Sequence, residues 1–308
     1  MEGSSARLPH AQAPRVEWLT LGLIALCLIM WAVTLFGLAA ASPWLAAPVM
    51  VLVLVLHASL THEVCHGHPL PWRRASEALV HVNPGLAVPY LRFRDLHLAH
   101  HQDAILTDPY DDPESNYLDP ARWARMPGWL RLLRRVNNTL AGRMLIGPAL
   151  GQAGFMAGDW AAIRAGDGQA LKGWLLHLPG MALVLWLVWL SPMPVWLYLL
   201  CAYAALSVLK IRTFLEHQAH ERARGRTVII EDRGPLAFLF LNNNLHVVHH
   251  MHPKVPWYRL PALYAENRRR YLARNDGYVY RSYGQIFRQH FLRAKDPVPH
   301  PLWKSPGI

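Results

Sequence analysis

Charge is missing from two long stretches of this 308-residue chain: no Asp, Glu, Lys or Arg occurs from Trp18 to Thr61 or from Gly173 to Leu209. Each stretch is about twice the roughly 20 residues needed to cross a bilayer. Each also carries prolines near its middle, Pro43 and Pro48 in the first and Pro192 and Pro194 in the second, so each is expected to form two spans with a tight turn, at 42–48 and 191–194. Four spans in two hairpins exclude an ordinary soluble domain. Cysteine is scarce as well. Cys27, Cys65 and Cys201 are the only three, with no C-x-x-C spacing, which excludes a disulfide framework and a thiolate metal site. A cleavable leader is disfavoured, because Met1 to Val16 is polar and proline-bearing and the apolar stretch after it is too long for a short signal core.

What is abundant is basic charge and histidine. The formal net charge is +11, and from Met251 onward eleven Lys and Arg face only Glu266, Asp276 and Asp296. Beside membrane spans, that excess points to anionic lipid headgroups and an acidic redox partner, with no nucleic acid. The turns at 42–48 and 191–194 carry no basic residue, whereas Arg73 to Arg164 and the chain after Lys210 are rich in them. By the positive-inside rule the N-terminus, the middle segment and the C-terminus face the cytoplasm. The chain divides into a disordered lead at 1–16, a membrane domain at 17–265 and a basic cytosolic tail at 266–308. Between 120 and 167, Trp123, Trp129, Leu132, Leu145 and Phe155 interleave with arginines, the pattern of amphipathic helices at an interface or of ordinary surface helices. Thr107 to Asp119 is an acidic, proline-broken loop whose role the sequence leaves open.

Thirteen of eighteen histidines fall in four clusters: His57, His62, His66 and His68; His97, His100 and His101; His217 and His220; His246, His249, His250 and His252. At that frequency H-x-x-H-H is expected roughly 0.06 times in a chain this long, yet it occurs twice. Residues three and four apart share a helix face, so His62 and His66 can address one metal, while each H-x-x-H-H offers two directions. His62, His66, His97, His100, His101, His217, His246, His249 and His250 make nine candidate ligands, beyond the three or four protein ligands of one zinc. Two metal ions are therefore expected. Neutral nitrogen donors without thiolates favour iron. His57 and His220 are candidates for outer supports of the ligands, as are His68 and His252; His10, His81, His177, His290 and His300 stand alone. His62-Glu63-Val64-Cys65-His66 also satisfies H-E-x-x-H, so a zinc protease inside the membrane is an alternative, with Glu63 as general base. That reading leaves both H-x-x-H-H clusters unexplained.

With HEVCHGHP at 62–69, HLAHH at 97–101, and HVVHH at 246–250 followed by Pro253 and the run Pro256 to Pro261 (PWYRLP), the chain resembles the membrane fatty acid desaturase superfamily over roughly 20–265. The resemblance implies an all-α membrane protein whose cytosolic cap presents these histidines to two irons, with dioxygen as co-substrate and no catalytic residue beyond the metal centre. His217 in FLEHQ matches the lone histidine that completes the set. Asn242 matches an asparagine that contacts the metal through water. The implied function is an oxygen-dependent fatty acyl desaturase of lipid metabolism or fatty acid biosynthesis. Hydroxylases and ketolases of lipids, carotenoids or alkanes share the boxes and remain the alternative. The segments of a fused cytochrome or rubredoxin are not found, so a separate electron donor of ferredoxin, rubredoxin or cytochrome type is expected, with the lipid or acyl substrate drawn from the membrane.

Overall fold

The computed structural model describes residues 16–303, so the lead at 1–16 lies, Val16 apart, outside the described residues. The first uncharged run forms α1 (Trp18–Ala41) and α2 (Pro43–Cys65). Between the runs lie α3 (Tyr90–His100), α4 (Gly128–Asn137) and α5 (Gly147–Arg164), joined by shorter helical turns. The second run gives α6 (Gly168–Trp189) and α7 (Val195–Thr213), followed by α8 (His246–Met251), α9 (Leu260–Arg274) and α10 (Tyr283–His290). Strands are nearly absent among the described residues: β1 (Ile229–Ile230) and β2 (Val279–Tyr280) make one short parallel pair.

As the uncharged runs imply, α1, α2, α6 and α7 are each long and apolar enough to cross a membrane. Their outer faces stay apolar, with Trp18 75% and Trp189 76% exposed. Such a surface suits hydrocarbon, which offers a helix no aqueous partner. The first turn is narrower than the expected 42–48. Ser42 caps α2 and Pro43 occupies its first position, where a missing N–H costs nothing, but Pro48 remains inside the helix. α6 starts earlier than expected because Asp167 caps it, accepting from Gln169 N at 2.9 Å and Ala170 N at 3.0 Å.

The core lies where α2 is packed between α1 and α7, with Leu35, Met50, Leu60 and Tyr198 buried there. The segment 79–89 was not legible in the sequence as part of this core. Pro84 O accepts from Tyr198 Oη at 2.7 Å, and Leu86 O lies 2.7 Å from His177 Nε2. Tyr198 sits near the start of a 19-residue helix whose other end leads to the histidines, so the segment dips about 20 Å into the bundle. Irregular backbone at that depth needs its carbonyls satisfied by protein, and Gln152 Nε2 also donates to Ala87 O at 2.7 Å.

After Pro253 the chain is more regular than its prolines suggest. α9 runs for 15 residues. The segment expected as a tail folds back toward the histidines: Arg274 Nη2 meets Asp103 Oδ2 at 2.6 Å, Tyr278 Oη donates to Leu215 O at 2.7 Å, and Lys295 Nζ donates to the His217 carbonyl.

Candidate metal centre

The nine histidines named from the sequence come together at one end of the bundle, in two nests. His62, His66, His97, His101 and His249 form the first; His100, His217, His246 and His250 form the second. Within each nest one nitrogen from every ring lies within 4.8 Å of the others. α2 delivers His62 and His66 from its last turn, α3 its three histidines from its end, and α8 the last three. His217 follows α7. The two H-x-x-H-H turns each divide their rings between the nests, because successive residues leave a helix about 100° apart. The nests adjoin, with the His101 and His250 rings stacked at 4.2 Å between centroids.

Ring nitrogens meet head to head. His97 Nε2 lies 3.1 Å from His66 Nε2 and 3.0 Å from His101 Nε2, and His217 Nε2 lies 2.9 Å from His100 Nε2 and 3.2 Å from His246 Nε2. Hydrogen bonding does not by itself account for that convergence, since on three of these rings the opposite nitrogen is already engaged. His97 Nδ1 is 2.9 Å from Glu114 Oε1, His100 Nδ1 is 2.7 Å from Asp112 Oδ1, and His246 Nδ1 is 3.1 Å from Asn243 Oδ1. A carboxylate or amide oxygen on Nδ1 holds the proton there and turns the Nε2 lone pair inward, the arrangement a metal-binding imidazole needs. The Nε2 atoms of His62 and His250 are buried with no partner at all. Orphaned acceptors among inward lone pairs are what cations would satisfy, so the donor set fits metal.

Electrostatics separates the rings. Burial and then the neighbouring imidazoles hold His66, His101, His217, His246 and His249 below the usual histidine range. Burial also lowers His250 to about 4, against Asp103. These rings are neutral at pH 7, the form in which imidazole binds a metal. At His100 burial opposes the proton, but Glu114 and Asp112 outweigh it and raise the ring to about 9. Burial of Glu114 is likewise overcome by His100 and His97, which hold its carboxyl below the usual carboxylate range.

Other expectations fall away from the nests. His57 Nδ1 lies 3.5 Å from Thr61 Oγ1 on its own helix, more than a turn below His62. His220 turns to the Arg222 carbonyl at 3.1 Å and to Asp276 at 3.7 Å. The Asn242 amide donates to Trp257 O at 3.1 Å, and its neighbour Asn243 is the asparagine that supports a ring. His68 pairs with Glu17 at 2.6 Å, and His252 sits against Tyr271. Glu63 Oε2 accepts the Trp257 N–H at 3.1 Å, and both histidines of its H-E-x-x-H belong to a five-ring nest, which leaves no general base poised over a lone zinc.

Sequence reasoning missed the carboxylates. Asp112 and Glu114 come from the acidic loop at 107–119; Asp103 lies 3.7 Å from His250 Nδ1, and Glu216 forms an ion pair with Arg212 at 3.0 Å and accepts from Asn243 Nδ2 at 3.0 Å. The available signal was chemical: a ligating imidazole gives its other N–H to an oxygen, and these acids stand near the histidines in sequence or in the one loop singled out.

Four apolar helices topped by two imidazole nests, backed by carboxylates and free of thiolates, define a membrane protein of the histidine-rich metal class. Residues 39–283 match the family model described as fatty acid desaturase, and the chain belongs to that family. No curated protein matches it. The matched span encloses all nine histidines, and membership makes the protein an oxidoreductase of the desaturase and hydroxylase type.

Proposed function

We propose that the protein is a di-iron, oxygen-dependent oxidoreductase that acts on unactivated C–H bonds of a membrane lipid, introducing a double bond into a fatty acyl chain. The observation that carries this reading is the sorting of nine imidazoles into two adjoining nests, more donors than one zinc employs. Neutral nitrogen donors without thiolate suit iron. Iron bound there supplies dioxygen activation and hydrogen abstraction. The chain's own residues do the positioning. Glu114, Asp112 and Asn243 fix the rings of His97, His100 and His246, and burial of those three rings at 3%, 1% and 2% exposure keeps bulk water out. The spans are read as two hairpins, α1 with α2 and α6 with α7, with both termini and the nests on the cytoplasmic side because the basic residues gather there. The three cysteines are free and buried and build no redox cluster, so reducing equivalents come from a separate donor of ferredoxin, rubredoxin or cytochrome type.

Metal analysis of detergent-purified protein, expressed with iron and zinc both available, tests the reading. About two irons per chain are expected, and iron is lost on His101→Ala or His250→Ala. One zinc that survives both changes would refute it. Lipid profiling of expressing cells then separates the reactions: new unsaturation is expected, whereas an added oxygen assigns a hydroxylase or ketolase.

A further inference from the structure

Beside the second nest lies a partly enclosed chamber of about 50 Å³ lined by Arg143, Lys295, Tyr117, Asn138 and Asp296, with His217 also in its lining. At roughly 10–15 Å³ for each water it has room for three to five waters, or for one oxyanion group. Its acids are already engaged. Asp296 accepts from Tyr117 Oη and lies 3.4 Å from Lys295 Nζ; Glu114 and Asp112 hold His97 and His100; Glu216 holds Arg212. Arg143 is the exception. The residue is 5% exposed, its Nε donates to Asn137 O at 2.9 Å, and its guanidinium lies 5.8 Å from the Phe214 ring. Among the described residues its terminal nitrogens have no hydrogen-bond partner and no carboxylate pairs with it. A buried guanidinium without a counter-ion is costly, and this one borders a space of the right size.

We propose that the chamber binds a small oxyanion, a phosphate or carboxylate group, on the guanidinium of Arg143. Arginine presents a planar fork of donors that such groups accept in pairs, and Lys295 and Asn138 line the same space. Two sources carry this chemistry: a free anion from the cytosol, or the headgroup of an anionic lipid. Arg143 sits in the short helix Leu140–Leu145, whose last residue, Leu145, is 71% exposed and faces outward as a lipid contact would. The inference goes beyond the proposed reaction and does not depend on metal.

The test is thermal unfolding of the detergent-purified full chain at fixed ionic strength, with inorganic phosphate in one arm and phosphatidylglycerol against phosphatidylcholine in the other. A saturable rise in Tm, about 2–4 °C at a tenfold excess over Kd, is expected for the native chain, retained in part by Arg143→Lys and abolished by Arg143→Met. A response to phosphate assigns the free anion. A response to phosphatidylglycerol alone assigns the headgroup. No response of the native chain in either arm overturns the proposal whether or not a variant folds, as does an undiminished response in Arg143→Met.

Discussion

At the scale of single residues, the chemistry rests on where protons sit. His100 is raised to about 9 by Glu114 and Asp112 against its own burial, so at pH 7 it carries a proton in the metal-free protein. A metal needs the neutral ring, so loading the second nest must expel that proton. Adding ferrous iron to the apo-protein in weak buffer is expected to release about one proton per chain at pH 7, with release falling toward zero above pH 9. The sign follows from the raised pKa: the proton is bound below about 9 and gone above it. Asp112→Asn removes one of the two carboxylates that hold it, and is expected to weaken metal binding about 10- to 100-fold with less proton release. Unchanged release in that variant would show that Asp112 does not set the state of His100.

Elements are held in register by a second buried polar group away from the nests. Arg92 on α3 meets Asp159 on α5 through Nε at 3.1 Å and Nη2 at 2.7 Å, and Trp174 on α6 donates to Asp159 Oδ2 at 2.8 Å. The close approach explains Gly173, where a Cβ would stand 2.8 Å from Arg92 Cγ. This clasp fixes how far α3 projects toward the site, and thereby the height of His97, His100 and His101. Asp159→Ala strands a guanidinium that is 10% exposed, a loss of about 3–5 kcal/mol. A fall in Tm together with lower iron content is expected. A stable variant with full iron would mean that α3 is positioned by its apolar contacts alone.

For the whole molecule, the nests join four parts of the chain that lie far apart in sequence: the end of α2, the end of α3, His217 just beyond α7, and α8. Metal bound across them stabilises only the folded chain. Chelation is therefore expected to lower Tm and to raise hydrogen exchange at 62–66, 97–101, 217 and 246–250, while the midsections of α1, α2, α6 and α7 stay protected. Equal exchange with and without metal would mean that helix packing alone builds the nests.

The sequence by itself determined the candidate spans and the candidate ligands. Two uncharged runs could only be satisfied as apolar helices, and histidine spacing at three and four residues marks a shared helix face whatever the surroundings, so four spans and nine histidines were legible. Boundaries depended on capping: Asp167 and Ser42 moved helix starts that hydropathy alone does not define. Tertiary structure decided the rest. The partition of rings into five and four depends on how α2, α3 and α8 converge. The carboxylates Asp112 and Glu114 reach the rings only because the loop at 107–119 folds over them. The inward dip of 79–89 exists because Tyr198, His177 and Gln152, far off in sequence, satisfy its carbonyls. Periodicity and spacing report what lies along one helix, whereas hydrogen bonds between residues distant in the chain leave no periodic trace.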